Sequence, residues 1–503
     1  MALEVLRKVL AGIAIFLIAT LSYALLYGLY NIFLHPLRKI PGPLLRRAYA
    51  WPNHLDAIYG VLTFNLNSIH KKYGPIVRVG PNELSYTDSR AYKPIYASHS
   101  QSTEGFSEMK KNPEFEMMKV EGVTNILAGD VVDHARFRKM FSHSFSEKGI
   151  REMQPRIRGY VDQLVQGLKD AATSGPVDVV KWYNWTTFDL IGDLAFGESF
   201  HCIRNQETDP WIAAIFGSVK FLPIATAIED YGLGTLLKLL MPRHLLEMQA
   251  RNAESARKKM RKRIQKGAGQ YDFWDNAIQK SNFEKGTGMT EAEMVSNSYI
   301  LALGGSETTA TALSGVTYLL LKHPNVLKEL NAEVRGAFKS EEDIDLVSVG
   351  RLEYMLGTLN EAVRLYPPTP SVGNRIVPPG GAQIIDKWVP GGTSVQVQTY
   401  STLRSLSNFA RPEDFCPERW LSSAPAEFAK DDRAAFQPFS SGPRNCIGRN
   451  LAYAELRLIL AKVCWNFDMK LDEEKCSSWM ESQKIFILWE KTPLWVNLTP
   501  VQR

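Results

Sequence analysis

The first feature of the hydrophobic pattern is a long apolar stretch at the start of the chain. Residues 9–34 contain no Asp, Glu, Lys or Arg in 26 consecutive positions. A helix of this length covers the ~30 Å hydrocarbon core of a bilayer with room for tilt. The alternative is a cleaved secretory signal, but its apolar region would be only about 7–15 residues long. The pattern therefore predicts a retained membrane-spanning helix within residues 1–36.

Charged residues on either side of this stretch predict its orientation. The basic residues before and after it are Arg7, Lys8, Arg38, Lys39, Arg46 and Arg47. Because basic flanks stay on the cytosolic side, the heavier C-terminal flank places residues 37–503 in the cytosol. No other stretch of spanning length is free of charges. Pro36, Pro41 and Pro43 oppose further helix and predict a stiff extended segment.

The rest of the chain combines long helical periods with a few short strand patterns. Helical signals dominate four long stretches, 154–172, 247–266, 290–322 and 325–338. Two short runs at 76–79 and 83–86, separated by Gly-Pro-Asn, predict a hairpin. Gly, Pro and β-branched residues cluster between positions 367 and 399, which is typical of short strands and turns. The pattern predicts a mainly α body with a small β portion, an α+β arrangement.

Composition narrows the class of protein without indicating a function. The chain has 503 residues, a net charge of +6 and five cysteines. These cysteines are odd in number and form no Cys-x-x-Cys pair, which argues against a disulfide scaffold and a structural zinc site. The small positive excess does not by itself indicate a nucleic-acid partner, and the basic run at residues 257–263 is interpreted as a solvated helix face or a contact with anionic lipid, so no nucleic-acid partner is expected. No repeat or linker divides residues 37–503, which predicts one domain.

The strongest chemical signal is the segment 439–448, Phe-Ser-Ser-Gly-Pro-Arg-Asn-Cys-Ile-Gly. A cysteine thiolate that ligates iron needs a tight loop with backbone N–H groups near the sulfur. Gly442 and Gly448 permit such a loop and the close approach of a flat cofactor. A helix predicted over 450–467 follows Cys446, and its N-terminal dipole favours an anionic sulfur. The alternative is a buried structural cysteine, the usual state of a free thiol.

Two further side chains of this segment suit a flat anionic cofactor. Arg444 can neutralise a carboxylate, and Phe439 can pack against the ring and the sulfur. The spacing Phe-x-x-Gly-x-Arg-x-Cys-x-Gly resembles the haem-binding signature of the cytochrome P450 family. The resemblance implies the cytochrome P450 fold, with haem b bound in it and Cys446 as the axial ligand of the haem iron.

Two upstream segments resemble other motifs of the same family, in the family's order. Residues 361–364, Glu-Ala-Val-Arg, match Glu-x-x-Arg, and residues 417–420, Pro-Glu-Arg-Trp, match Pro-Glu-Arg-aromatic. Taken alone, a Glu and an Arg three positions apart on a helix are a common surface pair of little energetic weight. The resemblance instead implies that Glu361, Arg364 and Arg419 form a buried charge triad, which is structural and holds the segment beneath the haem.

A polar cluster interrupts the long helical stretch at residues 302–309, Ala-Leu-Gly-Gly-Ser-Glu-Thr-Thr. Two glycines and consecutive polar residues weaken the backbone ladder of a helix, and alone they would indicate a packing notch. The cluster resembles the family's oxygen-activating motif, (Ala/Gly)-Gly-x-(Asp/Glu)-Thr-Thr. The resemblance implies a helix distortion that opens a groove for O₂ and water. Thr308 would then hydrogen-bond the oxygen being reduced, and Glu307 would relay protons from solvent.

The two carboxylates of a haem require cations where they are buried. Residues 134–138, His-Ala-Arg-Phe-Arg, resemble the family's Trp-x-x-x-Arg element, with His134 in place of Trp. Arg138 is therefore the implied partner of a haem propionate, together with His134. Arg375 lies where the family often has another such residue. Arg136 and Lys139 are either surface charges or part of a basic patch for an acidic electron donor.

The resemblance covers the whole chain and implies a haem-thiolate monooxygenase. It implies electrons from NADPH–cytochrome P450 reductase, O₂ as oxidant, an apolar small-molecule substrate and a place in the endoplasmic reticulum membrane. Several segments resemble filamentous-fungal enzymes of secondary metabolism. Two alternatives remain open: a haem-thiolate isomerase or dehydratase without O₂ use, and a non-catalytic membrane haem sensor or carrier. Family analogy predicts that the substrate pocket is lined from residues 105–125, 211–240, 299–303, 369–374 and 485–488.

Overall fold

The computed structural model describes residues 1–98, 108–235, 243–281 and 288–502. It is mainly helical with short strands, which confirms the predicted α+β class. The α-helices are Ala2–Phe33, Leu44–Ala48, Trp51–Ile58, Leu62–Tyr73, Tyr92–Tyr96, Val131–Phe141, Glu147–Glu152, Gln154–Ala172, Val179–Phe196, Cys202–Asn205, Pro210–Val219, Leu222–Asp230, Arg243–Gln265, Asp275–Lys280, Glu291–Lys322, Pro324–Ala337, Glu353–Leu365, Thr399–Leu403, Arg449–Asn466 and Glu473–Cys476.

The strands form four small sheets in the described part of the chain. In chain order they are β1 Ile76–Gly80, β2 Glu83–Tyr86, β3 Lys110–Lys111, β4 Val177–Asp178, β5 Arg375–Ile376, β6 Ala382–Ile384, β7 Lys387–Val389, β8 Ser394–Val397, β9 Phe467–Leu471, β10 Lys484–Phe486, β11 Leu488–Glu490 and β12 Trp495–Pro500. The largest sheet has the order β1-β2-β8-β5-β3, and another has the order β4-β12-β9. The hairpins β6–β7 and β10–β11 are separate pairs.

The predicted hairpin at 76–86 is confirmed as an antiparallel pair with Ile76 opposite Tyr86. Strand β2 also pairs in parallel with β8, which comes from the Gly- and Pro-rich stretch of the chain. This pairing brings residues separated by about three hundred positions into one sheet, with Glu83 opposite Ser394. The sheet thereby places Lys111, at its β3 edge, opposite Arg375 of β5.

The helix Glu291–Lys322, here called the central helix, runs through the core. It begins with a capping box, in which the Thr290 hydroxyl accepts from the Glu293 backbone and the Glu293 carboxylate accepts from the Thr290 backbone. It ends before Pro324, because a residue that precedes proline avoids the helical region. Most of its side chains are buried, including the whole run from Thr309 to Leu321. It packs against Val179–Phe196, Glu353–Leu365 and Arg449–Asn466, and so positions the polar residues at its middle.

The N-terminal helix Ala2–Phe33 is long and apolar enough to cross a membrane, and no part of its most apolar window is buried. Its last turns nevertheless contact the body. Asn31 donates to Ala48 O at 2.9 Å, and Arg78 donates to Asn31 O at 2.7 Å. The Tyr49 hydroxyl donates to Ala24 O at 2.9 Å. The end of the helix is therefore fixed to the body by hydrogen bonds.

The prediction of an extended Pro-rich segment after this helix is partly wrong. Pro36–Lys39 forms a 3₁₀ turn, because proline is tolerated at the first helical position, where its missing N–H costs nothing. Only the residues from Ile40 to Pro43 are extended, and Arg78 N donates to Pro41 O at 2.8 Å. A second stretch, Pro210–Asp230, also passes the length and composition test for a membrane span. It contains charges and consists of two helices.

Candidate active site

The loop that carries Cys446 is closed by backbone contacts. Cys446 N donates to Phe439 O at 2.9 Å. Gly442 has a φ of +74°, and a Cβ there would lie 1.9 Å from Tyr96 O, so this position requires glycine. Gly448 has an ordinary φ of −82° and is the N-cap of the helix Arg449–Asn466, here called the cysteine helix. A Cβ at Gly448 would meet only Cys446 Sγ and Phe145, both at 3.8 Å.

Cys446 differs from the other cysteines in its accessibility. Of the five free thiols, the side chains of Cys202, Cys416, Cys464 and Cys476 are buried, while Cys446 is exposed. Surrounding protein atoms nevertheless desolvate the thiol, and this burial raises its pKa. The Gly448 backbone N–H, Arg138 and Arg449 lower this pKa and favour the thiolate. An accessible sulfur among donors and cations suits a metal ligand.

Arg138, the implied partner of a haem propionate, lies beside the cysteine loop. Its guanidinium donates to Asn445 O at 2.6 Å and to Asn445 Oδ1 at 2.9 Å. Arg136, two positions earlier, forms ion pairs with Asp133 at 2.7 Å and with Glu293 at 2.5 Å. Arg136 is therefore engaged within the protein, whereas Lys139 is exposed.

A group of cations lies beside the cysteine loop. Arg444 donates to Gly129 O at 2.6 Å and from Nε to Glu108 Oε1 at 2.8 Å. Arg375 is buried and lies over the Tyr96 ring, and the one hydrogen bond of its side chain within the described part of the chain goes to the adjacent Asn374 O at 3.3 Å. His134 is also buried. Burial, followed by repulsion from Arg444, Lys111, Arg138 and Arg375, lowers its pKa to about 3, so His134 is neutral at physiological pH.

Lys111 belongs to this group, although it was not predicted from the sequence. Burial, then repulsion from Arg375 and Arg444, lowers the pKa of Lys111 to about 7, and Glu108 opposes the shift. Because these side chains repel one another, the group carries more positive charge than its carboxylate partners neutralise. Two carboxylates of one ligand would offset this excess, so the donor set fits the propionates of a haem. Its sequence signal was weak, because a Lys-Lys pair in a short edge strand usually lies on the surface.

The oxygen-motif residues lie on an unbroken helix. The predicted distortion is not a break, since helical geometry continues from Glu291 to Lys322. The Thr308 hydroxyl donates to Gly304 O at 2.6 Å, a bond that competes with the backbone ladder. A Cβ on Gly304 would find no atom within 4 Å, whereas a Cβ on Gly305 would lie 3.0 Å from Ile191. Gly305 therefore lets Ile191 pack closely against the helix. The face formed by Gly304 and Thr308 has free space beside it and is called the open face here.

Glu307 forms a buried ion pair with Lys491, a partner that the sequence did not predict. The Lys491 ammonium also donates to Thr311 Oγ1 at 2.8 Å. Both residues line a cavity of about 220 Å³ that also contains the exposed ion pair of Lys220 with Glu490. The cavity therefore extends from the protein surface to the Glu307 carboxylate.

The rest of this cavity is mainly apolar and aromatic. Its lining includes Ile212, Phe216, Val219, Phe486 and Leu488. These residues come from the predicted pocket segments 211–240 and 485–488. Of the described residues in segments 105–125, 299–303 and 369–374, none lines it. Positions 105–107 and 236–240 lie outside the described residues.

The three residues of the implied charge triad are brought together and fully buried. The Glu361 carboxylate accepts from Arg364 at 2.8 and 2.9 Å and from Arg419 Nε at 2.9 Å. Trp420 Nε1 and Cys416 N also donate to it, at 2.8 and 3.0 Å. Burial disfavours the charge of Glu361, but Arg364 and Arg419 outweigh burial and lower its pKa.

Comparison with known proteins assigns this fold and site to a family. Residues 43–496 match the model of the cytochrome P450 family, so the chain belongs to that family. The chain is 46% identical to averantin hydroxylase of Dothistroma septosporum over 500 residues, which are 99% of this chain and 92% of the relative. It is 46% identical to averantin hydroxylase of Aspergillus parasiticus, with 94% of each chain covered. It is 40% identical to versicolorin B desaturase of D. septosporum, covering 99% of this chain and 95% of the relative.

Membership of the cytochrome P450 family defines the class of enzyme. The chain is a haem-dependent cytochrome P450 monooxygenase, an oxidoreductase that uses O₂ and a redox partner and acts on a small molecule. The predictions of family, fold class and enzyme class are thus confirmed. The N-terminal helix is a candidate membrane anchor, in keeping with a membrane-bound member of this family.

Proposed function

We propose that this monooxygenase inserts one oxygen atom into an apolar small molecule, as a tailoring step in fungal secondary metabolism. The open Cys446 sulfur beside a cation-rich group carries the proposal, because this arrangement suits a thiolate-ligated haem rather than a structural cysteine. Two relatives are named for hydroxylation of averantin and one for desaturation of versicolorin B. The apolar and aromatic cavity lining supports an apolar substrate.

The residues around the loop fit haem b. Cys446 would be the axial ligand, and Arg375, Arg444 and Lys111 would bind the propionates, with neutral His134 able only to donate an N–H. Arg138, which the resemblance implies as a propionate partner, would in addition hold the cysteine loop through Asn445. Phe439, which packs against Tyr453 with ring centroids 5.4 Å apart, would cover the loop. When bound, thiolate-ligated haem supplies O₂ binding and cleavage of the O–O bond.

Lys111 is expected to contribute to haem retention. Lys111→Met removes one cation and keeps the length of the side chain. A charge-assisted hydrogen bond contributes about 1.5–3 kcal/mol, so haem transfer to an excess of a haem-scavenging protein should become about tenfold to a hundredfold faster. Lys110→Met is the matched control, since Lys110 is the exposed neighbour in the same strand. Equal rates of haem transfer in the two variants would show that Lys111 does not bind a propionate.

Side chains of the protein would position and transfer protons near the place where oxygen is reduced. Thr308 holds its hydroxyl on the open face of the central helix by donating to Gly304 O, and it can present this hydrogen to oxygen once it leaves that carbonyl. Glu307 lies at the inner end of the cavity and can exchange protons with solvent through it. Lys491 fixes the position of the Glu307 carboxylate, so Glu307 must leave or share this partner when it relays a proton.

Thr308→Ala is expected to uncouple electron transfer from product formation. Positioned proton donors typically contribute 10²–10⁴-fold, and water can replace part of the lost hydroxyl, so product per NADPH should fall about tenfold. Released hydrogen peroxide should rise by a corresponding amount. The substrate-induced spectral shift should keep its dissociation constant, because Thr308 does not bind substrate in this account. An unchanged coupling ratio would exclude this role.

The substrates in the relatives' names are the first probes of substrate class. Averantin and versicolorin B should be titrated into the full-length protein while the haem absorption spectrum is recorded. We expect saturable binding of at least one of them, or of a compound of similar size and apolarity. Failure of both, with tight binding of a charged polar metabolite instead, would contradict the proposed apolar substrate.

The proposal also covers the source of the electrons and the location of the protein in the cell. The electrons would come from NADPH through a membrane-bound cytochrome P450 reductase, and the protein would lie in the endoplasmic reticulum. Residues 1–36 would be a single-pass anchor and residues 37–503 a cytosolic catalytic domain. The basic residues after the apolar stretch and the apolar surface of the N-terminal helix support this topology.

Protease treatment of sealed microsomes should degrade the body without added detergent. A tag placed after residue 503 should be lost at the same rate with and without detergent, because a cytosolic body is already accessible. A lumenal marker protein in the same vesicles provides the control for sealing. Protection of the tag until detergent is added would overturn the topology.

A further inference from the structure

The group of cations beside the cysteine loop contains a carboxylate that the proposed function does not use. Glu108 lies shortly before strand β3 and forms an ion pair with Arg444. Both side chains are almost completely buried, with 10% of Glu108 and 6% of Arg444 exposed. A buried ion pair is weak evidence for stability, because desolvation of the two charges offsets their attraction. The position of this pair beside the proposed propionate site therefore calls for another explanation.

The hydrogen bonds of Arg444 leave donors for a second anion. Its Nε donates to Glu108 Oε1 at 2.8 Å, Nη2 donates to the same oxygen, and Nη1 donates to Gly129 O at 2.6 Å. A guanidinium has five N–H groups, so one N–H on each terminal nitrogen takes no acceptor in the described part of the chain. Arg444 can therefore bind Glu108 and a haem propionate at the same time.

Glu108 also acts on the other cations of the group. Burial and the neighbouring arginines lower the pKa of Lys111, and burial lowers the pKa of Arg375, but Glu108 opposes the shift in both. No other carboxylate among the described residues contributes to the pKa of either side chain. Glu108 is thus the one protein carboxylate that offsets the charge of these cations, which lie on both sides of the β3–β5 pair.

The orientation of the Arg444 guanidinium is fixed from two sides. Glu108 binds one edge of it, and Gly129 O accepts from the opposite terminal nitrogen. Lys111 is held in a similar way, since its ammonium donates to Leu127 O at 2.5 Å. The segment from Glu108 to Gly129 therefore holds both cations by its own acceptors. Without Glu108, the guanidinium would lose the contact that sets its plane.

We propose that Glu108 is a positioning residue for the haem, which fixes the guanidinium plane of Arg444 beside a propionate and offsets one positive charge of the group. The proposal rests on the proposed function, because it requires a haem at Cys446 with its propionates at these cations. Reduction of the haem adds one electron, which the redox partner supplies. Loss of the Glu108 carboxylate leaves one more positive charge near the haem, which favours the reduced form.

The reduction potential of the haem-loaded, full-length protein tests the charge. A unit charge about 12 Å from a redox centre, at an effective dielectric constant of about 20, changes an equilibrium constant about tenfold. In Glu108→Gln, the ratio of reduced to oxidised haem at a fixed electrode potential should therefore rise about tenfold, which corresponds to about 59 mV for one electron. Spectroelectrochemical titration without substrate measures this ratio.

Further variants separate the charge of Glu108 from its shape. Glu108→Asp keeps the charge on a shorter side chain and should keep a ratio close to that of the wild type. Lys111→Met should lower the ratio, and the double variant Glu108→Gln/Lys111→Met should return it toward the wild type, because the two charge changes cancel. Glu116→Gln is the matched control, since it removes an exposed, solvent-screened carboxylate of the same segment and should change nothing.

Resonance Raman spectroscopy of the oxidised protein tests the orientation of Arg444. The bending band of the haem propionates shifts when their hydrogen bonds change. Glu108→Gln should shift this band, because the Arg444 guanidinium is free to turn, whereas Glu116→Gln should leave it in place. An unshifted band in Glu108→Gln would overturn the positioning role.

The potentials decide the rest of the inference. An unchanged potential in Glu108→Gln, an equal rise in Glu108→Asp, or a double variant that stays as high as Glu108→Gln would overturn it. If Glu108→Gln retains no haem, retention of haem in Glu108→Asp supports the inference, and loss of haem from both variants overturns it. A wild-type protein that yields the expected shifts but forms no product from O₂ would refute the proposed function and leave this inference standing.

Discussion

Replacing Cys446 with Ala is expected to abolish monooxygenase activity and the red-shifted absorption band of the reduced CO complex. That band arises from thiolate ligation of haem iron, and Cys446 is the one accessible thiol of the five. The other four are buried, and burial raises the pKa values of Cys202 and Cys464 to about 12, which disfavours their thiolates. The measurement is the difference spectrum of dithionite-reduced protein with and without CO.

Cys202→Ala is the control for this prediction, since it removes a buried thiol far from the loop in sequence. It should keep both the band and the activity. A Cys446→Ala protein that retained the band would show that another residue ligates the iron.

Replacing Glu361 with Gln is expected to destabilise the protein by about 3–5 kcal/mol, the usual cost of leaving a buried charge without its partner. Arg364 and Arg419 are both completely buried and would lose the carboxylate between them. Arg364 also donates to Leu403 O and Pro412 O, so the disturbance would spread to the chain before the cysteine loop. Urea unfolding of the full-length protein, followed by haem absorbance and by circular dichroism, measures the loss.

The control is Glu473→Gln, which removes an exposed ion pair with Lys322 and should cost less than about 1 kcal/mol. The stabilisation from Glu361 also depends on pH. Its pKa is lowered in the folded protein, so the stabilisation is complete above the unfolded value of about 4.3 and is lost as the pH falls through the folded value. Equal unfolding midpoints for the two variants would contradict the role of the triad.

Short-range patterns predicted the elements of this protein well. The helix at 154–172 has the predicted bounds, and the central helix begins at its capping box, because both signals act within a few residues. The cysteine motif predicted a tight loop, and Gly442 has both the positive φ and the close backbone contact that require glycine. The Pro-rich segment was predicted less well, since a proline at the first position of a turn is compatible with helical geometry.

Pairs that join distant parts of the chain could not be predicted. Glu307 meets Lys491 from the C-terminal region, and Arg444 meets Glu108, because the fold brings these segments together. Lys111 had only a weak sequence signal, since its chemistry comes from burial and from neighbours on other elements. The motif residues were found by spacing, but their charge partners depend on tertiary structure.

The central claim is that the chain transfers an oxygen atom from O₂ to a small molecule. The most direct test supplies the membrane-bound protein with reductase, NADPH, the best-binding substrate and oxygen-18 gas. A monooxygenase should give a product that carries one labelled oxygen atom, and no product under nitrogen. Full product yield under nitrogen, or an unlabelled product formed without NADPH, would contradict it and favour a haem-thiolate isomerase or dehydratase.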